Sequence, residues 1–467
     1  MSLTRDRFRE QALKAAADPR LQAALEGATG RFRHARLDAL AELPDADALR
    51  DHFKAIREAT LARLDEHLTV FEQRATEAGA HVHWARDATE AAYTVLRIAH
   101  RHGASLAVKS KSMTAEEIHL NDVLEAAGVA PVETDLGEWI IQLANEPPSH
   151  IIGPAIHKTR QQVAELFSRE AGRPLPPDDI PLLTSTARRL LREKFLAAGV
   201  GISGVNVAVA ETGSVVLVTN EGNGRLVTSA PPVHVAIMGI EKIVPTWDDA
   251  AVWLALLARS ATGQPMSVYT SVITGPARPD DPDGPREVHI VILDNGRSRA
   301  LGTPFEELLQ CIRCGACLNV CPVYREAGGH AYGNPYSGPI GAVVAPLLFG
   351  LCEFPALPEA SSLCGACLDA CPARIDIPRL LLEWRATAVE ERLTPWYERL
   401  ALRLAARVLA HRRLAEAISR AARLLQRPFA HNGSFHLPTS LDVARPRRLP
   451  ALAERSFREL WRDELAG

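Results

Sequence analysis

The sequence predicts an α/β domain with a mixed sheet, followed by a smaller, mostly helical cysteine-rich domain and a helical C-terminal region. Three observations lead there. Short runs rich in Val and Ile alternate with helical stretches between about residues 67 and 297, the pattern of strands and helices sharing a core. Two of these runs, VNVAVA at 205–210 and SVVLVT at 214–219, are separated only by ETG, which reads as a hairpin and makes the sheet mixed. All eight cysteines lie between Cys311 and Cys371, a density that sets this stretch apart as a domain of its own.

The remaining elements follow in order. Residues 1–66 read as amphipathic helices, a packing arm or partner surface, with Pro44 separating two helical patterns. The other strands of the α/β domain, 67–297, are HVHWA (81–85), SLAVK (105–109), VAPVET (129–134), HVAIM (234–238), SVYTSVI (267–273) and VHIVIL (288–293). Many are apolar throughout, as strands buried on both faces are. Helices are expected from Asp87 to His100, from Thr114 with Glu117 completing a capping box, and from near Asp248. ARPDDPDGPRE, 277–287, is a surface turn. The cysteine domain occupies 298–395, and a basic helical region 396–467. There, one helix is expected from Thr394–Pro395 to Arg427, stopped by Pro428. Ten arginines stand against Glu416 and Asp442 between 401 and 450, a local net of +8. A basic amphipathic helix suits a membrane surface or an acidic subunit, or packs with its arginines in solvent. SFRELWRDEL reads as one more amphipathic turn or helix.

A chain of 467 residues is long enough for two to four domains. Its 47% apolar and 23% charged residues fit a soluble globular protein, and a net charge of -3 gives no general attraction to nucleic acid. The charged first residues do not read as a signal peptide, and no apolar run is long enough to span a bilayer. A cytoplasmic protein is expected, peripheral at the inner face of the membrane if the basic helix binds there. In that compartment thiols stay reduced, so cysteines this dense suggest a metal. Arginines outnumber lysines 46 to 7. Genomic base composition accounts for the bias; the sharper reading is that Lys109, Lys111 and Lys158 are kept because an amine is needed there.

Cys311-x2-Cys314-x2-Cys317-x3-Cys321-Pro322 is the bacterial ferredoxin ligand run. Three thiolates at that spacing converge from one tight loop onto a cubane, while the fourth, followed by Pro, turns toward the other cluster. SSLCGACLDACP, 361–372, repeats the run with Ser361 in place of the first cysteine. The first cluster thus takes Cys311, Cys314, Cys317 and Cys371; the second takes Cys321, Cys364, Cys367 and an unassigned ligand. Serine is a poor soft-metal ligand. Cys352, nine residues before Ser361, is either that extra ligand or a packed free thiol. A three-thiolate [3Fe–4S] second cluster, or one cluster with structural thiols, also fits. Structural zinc uses paired C-x2-C knuckles and does not require a three-cysteine run ending in Cys-Pro, repeated.

Two segments of the α/β domain are candidates for an anion or nucleotide pocket. KSKSM, 109–113, follows a strand and precedes a helix, where N–H groups concentrate. TNEGNGR, 219–225, places Asn223 and Arg225 beside Gly222 and Gly224. It matches neither a P-loop nor G-x-G-x-x-G, and the glycines equally suit a plain turn. Lys111 and Arg225 are candidates to hold a carboxylate, with Glu211 or Asp135 as proton acceptor. Among the 16 His, no metal-binding cluster or Ser/His/Asp triad stands out.

KSKSMTAEEIHLN, ETDLGEWIIQLANEPPSHIIGPAIHK, AETGSVVLVTNEGNGRL and GIEKIVP resemble the LUD (lactate utilization) domain, related to ribose-5-phosphate isomerase and CoA-transferase-like α/β folds. GGHAYGNPYSGPIG followed by LPEASSLCGACLDACP resembles the middle of the lactate utilization protein B family. The resemblance runs from about residue 50 to SFRELW. It implies two [4Fe–4S] clusters, electron transfer in the oxidation of L-lactate to pyruvate, and two partners. One is a cysteine-rich subunit with heterodisulfide-reductase-like repeats; the other is a stand-alone LUD subunit. A membrane quinone is a natural electron destination. In that family the second motif normally lacks its first cysteine, so Ser361 conforms and Cys352 is extra. A rival reading is a LUD-domain enzyme or ligand-binding scaffold whose clusters are structural or sensing.

Overall fold

The computed structural model describes residues 3–430, 433–436 and 448–465. The chain forms two compact units, Met1–Thr387 and Ala388–Gly467. The first opens with four helices, α1 (Arg5–Ala17), α2 (Pro19–Ala41), α3 (Ala46–Ala62) and α4 (Leu64–Glu77). Asp18 and Asp45 cap α2 and α3 by accepting backbone N–H groups, and Pro44 lies in the break between them.

Six strands form a wholly parallel sheet: β1 (His81–Ala85), β2 (Leu106–Lys109), β3 (Ala130–Glu133), β4 (Val200–Gly204), β7 (Val233–Gly239) and β10 (Glu287–Leu293). Their order is β1-β10-β7-β4-β2-β3. A separate four-stranded sheet, ordered β8-β5-β6-β9, comprises β5 (Val207–Val209), β6 (Ser214–Thr219), β8 (Ile243–Val244) and β9 (Tyr269–Ile273). Here β5 and β6 form the expected antiparallel hairpin, with Val207 opposite Val216, while β5 pairs β8 in parallel. The mixed character of the fold therefore resides in the smaller sheet.

Helices α5 (Ala88–Arg101), α6 (Met113–Glu117), α7 (Leu120–Ala126), α8 (Leu136–Ala144), α9 (Arg160–Ala171), α10 (Ile180–Ala197), α11 (Asn223–Ser229) and α12 (Trp247–Ala261) complete the α/β part. The central strands are apolar throughout because both faces are covered. In β7, Val235 and Ile237 join a core with α5 and α7, while Ala236 and Met238 join one with α4 and β6. Two strands were not legible, β4 and β8. In β4, VGISG, a Cβ on Gly201 would lie 1.9 Å from the Val227 carbonyl oxygen; the residues that look like breakers permit close packing. The expected cap at Thr114 also shifts: Ser112 caps α6, because the Glu117 carboxylate is taken by Arg297 and Tyr336.

The cysteine region holds α13 (Ala316–Val320), α14 (Pro322–Ala327), α15 (Gly338–Phe349), α16 (Ala366–Ala370) and α17 (Ile377–Glu390). In the second unit, the single expected helix is two, α18 (Trp396–Ala410) and α19 (Arg412–Gln426). His411 breaks them with φ -110 and ψ 100, and its Nδ1 meets the Arg407 carbonyl at 2.8 Å, satisfying an end of α18. Asp442 and arginines 445 and 447 of the basic run lie outside the described residues. SFRELWRDEL forms a short helix, α20 (Phe457–Leu460), and one wider turn over Trp461–Leu465.

Candidate metal centre and adjoining cavity

The two cysteine motifs share a backbone path. Arg313 and Leu363, at matched positions, have φ 59 and 54. Gly315 and Gly365 follow with φ 74 and 82 and start α13 and α16; this left-handed step favours glycine. Cys321 and Cys371 then leave the helices in extended backbone, ψ 119 and 121.

α13 packs on α16, and the thiols fall into two groups. Burial, then Cys371 and Cys311, push the Cys314 thiol up to about 12. Burial, then Cys314, Cys311 and Cys367, push Cys317 upward. Cys371 is driven to about 11 by burial, with Cys311 adding and Arg50 opposing. In the other group, burial and then Cys321 and Cys364 raise Cys367 to about 12, and burial with Cys364 raises Cys321. Cys364 is exposed and its thiol is lowered, chiefly by the Ala366 N–H. So Cys371 acts on Cys314 of the first motif and Cys321 on Cys367 of the second, while Cys367 also acts on Cys317 across the two groups. Cys352 is exposed on the turn after α15. Thiols this buried ionise only beside a cation, and thiolate is the ligand form. The donor set therefore fits iron–sulfur clusters, with six of the seven motif cysteines buried.

Basic side chains from other elements hold these loops by their carbonyls. Arg50 donates to the Cys371 and Asp369 carbonyls at 2.8 and 2.7 Å, and Arg36 to Ala370 at 2.9 Å. Lys242 donates to Cys311 O at 3.1 Å and Arg57 to Leu309 O at 3.0 Å.

Beside the first motif lies a cavity of about 260 Å³. It opens at the carboxyl ends of β2 and β4, where α/β sheets bind ligands. Ser110, Lys111, Asp135, Asn223, Glu221 and Lys242 line it, and Ile312, Arg313 and Tyr336 close it from the cysteine side. Ser110 Oγ, Asn223 Oδ1 and Arg313 Nη1 are buried with no hydrogen-bond partner among the described residues, which suits a polar ligand. Lys111 Nζ donates to Ile152 O at 2.6 Å. Burial alone would raise the Glu241 carboxyl; Arg297, Lys242 and Arg313 override it and hold it at about 2. Burial pulls the Lys242 ammonium down to about 8.

Of the pocket residues expected from sequence, Lys111, Asn223 and Asp135 line this cavity and Arg225 does not. Arg225 is exposed on α11, because two residues beyond Asn223 is the opposite side of a helix. Glu211 is also exposed, accepting the Trp247 N–H at 2.7 Å. Asp135 caps α8. Glu221 is the carboxyl raised by burial and by Asp135. Lys109 is buried against Glu133 and Asn121, and Lys158 pairs with Glu146. Sequence reasoning missed Glu221, Lys242, Arg313 and Tyr336; only the proximity of Arg313 to Cys311 was a signal. It also missed a histidine cluster. His81, His83 and His289 meet across β1 and β10, joined by His102 and Glu287. Its signal was the same-face spacing His81-x-His83 and Glu287-x-His289.

Residues 68–293 match the LUD domain, and residues 307–375 match the 4Fe-4S dicluster domain. Lactate utilization protein B of Macrococcus caseolyticus is 41% identical over 100% of this chain and 98% of its own. The chain belongs to the lactate utilization protein B family. The Bacillus pumilus member is 43% identical over 97% of each chain, and the Bacillus velezensis member 46% over 85% of this chain and 83% of its own. A solved DUF162 family protein from Deinococcus radiodurans aligns with 49% of this chain and 98% of its own, at 14% identity and a TM-score of 0.29. Like the family's dicluster domain, this one has two [4Fe–4S] clusters as cofactors. No helix among the described residues is long and apolar enough to cross a membrane.

Proposed function

We propose that the chain is the iron–sulfur electron-transfer subunit of an L-lactate-oxidising complex, acting in the conversion of L-lactate to pyruvate. One observation carries the reading: the wall of the LUD cavity is the loop between Cys311 and Cys314, through Ile312 and Arg313. A ligand in that cavity sits against the first cysteine motif. Cys311, Cys314, Cys317 and Cys371 hold the first cluster; Cys321, Cys364 and Cys367 hold the second. Oxidation of lactate to pyruvate releases two electrons and two protons, and each cluster supplies one-electron carriage.

The chain's own residues bind and orient. Lys111 and Arg313 offer cationic donors to a carboxylate, and Asn223 and Ser110 offer unpartnered polar atoms. Glu221, whose carboxyl is raised by burial and by Asp135, is the rim group placed to take a proton. The exposed Cys364 side is the exit, facing a cysteine-rich partner subunit, with a stand-alone LUD subunit completing the complex. The basic C-terminal region, 396–467, is the membrane or quinone-side contact, and 1–66, 67–297 and 298–395 are the arm, LUD and cluster domains. The name shared by the relatives, lactate utilization protein B, supports the lactate assignment.

The test is anaerobic. The cluster-loaded chain, alone and with the two partner subunits, is mixed with L-lactate and followed by EPR. Lactate-dependent reduction once the partners are present supports the proposal. Clusters that stay redox-silent over the accessible range favour the scaffold reading and sink it.

A further inference from the structure

At the opposite end of the sheet from the cavity, the amino ends of β1 and β10 meet the end of α5. Glu287 Oε2 lies 3.3 Å from His102 Nε2 and 3.3 Å from His289 Nε2, and the three atoms all lie within 4.8 Å of one another. Tetrahedral ligands about 2.0–2.1 Å from a zinc ion are roughly 3.3–3.4 Å apart. Both histidine Nε2 atoms are buried yet make no hydrogen bond among the described residues. They face the carboxylate oxygen without the geometry to bond it. His289 is 1% exposed, so its unused nitrogen is a costly feature unless something occupies the space.

A second group, Glu146, His157 and His330, also lies within reach of one ion. Except for His157 Nδ1, its donors are taken, so it has one unpartnered ligand atom where the first group has two. Lys158 and His157 bind the two oxygens of Glu146, and His330 Nε2 meets the Pro147 carbonyl. The first cluster instead has an outer ligand in place. His83 Nε2 lies 3.0 Å from His289 Nδ1; in the tautomer where His289 Nδ1–H donates to His83 Nε2, Nε2 of His289 carries the lone pair, the arrangement that orients metal-bound histidines. His81 stacks on the same ring at 4.9 Å.

We propose that His102, Glu287 and His289 bind one divalent transition ion of the zinc class, with His83 positioning His289 and solvent at the fourth position. The ion ties the start of β10 to the end of α5. It is independent of the iron–sulfur sites and of any lactate chemistry.

The experiment uses the full chain with both clusters loaded, so that the motif cysteines are occupied. The anaerobic protein is equilibrated with buffered Zn²⁺, desalted, and measured by elemental analysis and zinc-edge X-ray absorption. The expected result is one zinc per chain with a nitrogen and oxygen shell near about 2.0 Å and no sulfur scatterer. His102→Gln and Glu287→Gln, both at partly exposed positions, lower zinc affinity on the order of 10-fold or more. Cluster absorption serves as their folding control. Three results overturn the proposal: no zinc retained, a sulfur shell, or variants that bind zinc as the parent does.

Discussion

The two cysteine motifs trace one backbone path in two different settings. The first is walled in. Gly315 faces His150 and Ile152, Lys242 holds Cys311, and the thiols are buried. The second is open on one side: Cys364 is exposed, and its thiol is lowered where Cys314, its counterpart, is raised. Burial penalises the charged form, so equal local geometry yields unequal thiols. The lesson is that loop conformation sets where the sulfurs point, while the packing around it decides what each site does. The buried motif suits exchange with the cavity and the exposed one suits exchange with a partner.

The strongest test breaks the crossover between motifs. If Cys371 serves the first cluster, Cys371→Ser combined with Cys311→Ser removes no more iron than either change alone, about half. Cys371→Ser combined with Cys364→Ser removes both clusters. Motif-local clusters would give the reverse pattern, and iron content with EPR distinguishes them.

Next in size is a pH effect to which a histidine beside the first motif contributes. His150 is buried; its Nδ1 accepts the Ile152 and Gly153 N–H groups at 3.0 and 3.1 Å, and its Nε2 meets Asn319 Oδ1 at 3.1 Å. Burial, then Lys111, lowers it to about 4. Between about 4 and the usual 6.5 the unfolded chain binds the proton and the folded chain does not, so stability rises with pH. The contribution is full above 6.5 and is lost as pH falls toward 4, on the order of a few kcal/mol. His234, also about 4 by burial, adds to the same slope. Anaerobic urea titrations across this window should show a shallower slope for His150→Gln than for the parent. Equal slopes would remove His150 as a support of the first motif.

The arm supports the second motif. Arg50→Met leaves the Asp369 carbonyl without its side-chain donor and the Cys371 carbonyl with only the Arg374 N–H, a loss of roughly 1–3 kcal/mol. If Cys371 serves the first cluster, the EPR signal of that cluster should change first. A lower urea midpoint with both signals untouched would assign Arg50 to folding alone.

Legibility follows the same division. Ligand spacing is local, so the cysteine runs were plain, and a crossing of Cys371 and Cys321 is the expectation because the fourth thiol follows a turn. The hairpin at ETG and the Asp87 cap of α5 were local too. The cavity was half legible: Lys111 and Asn223 sit at strand and helix ends, but Lys242 and Arg313 reach it from segments 71 residues apart. Arg225 looked equivalent to Asn223 until helical rotation separated them. The histidine cluster was hidden because His102 and Glu287 meet only through tertiary packing.

The smallest effects concern the missing cysteine. Ser361 Oγ accepts the Leu363 N–H at 3.1 Å, as Cys311 Sγ accepts the Arg313 N–H at 3.4 Å. The serine side chain therefore occupies the place of the first motif's leading thiol, with a harder atom. Cys352, exposed on its turn, is not needed to fill that place. Cys352→Ser should leave iron content unchanged. Ser361→Cys should also leave it unchanged, yet slow loss of the second cluster's absorption in air, because a soft thiolate closes a corner that oxygen holds weakly. A Cys352→Ser variant that loses iron from the second cluster would return that residue to the ligand set and leave Ser361 as a turn residue only.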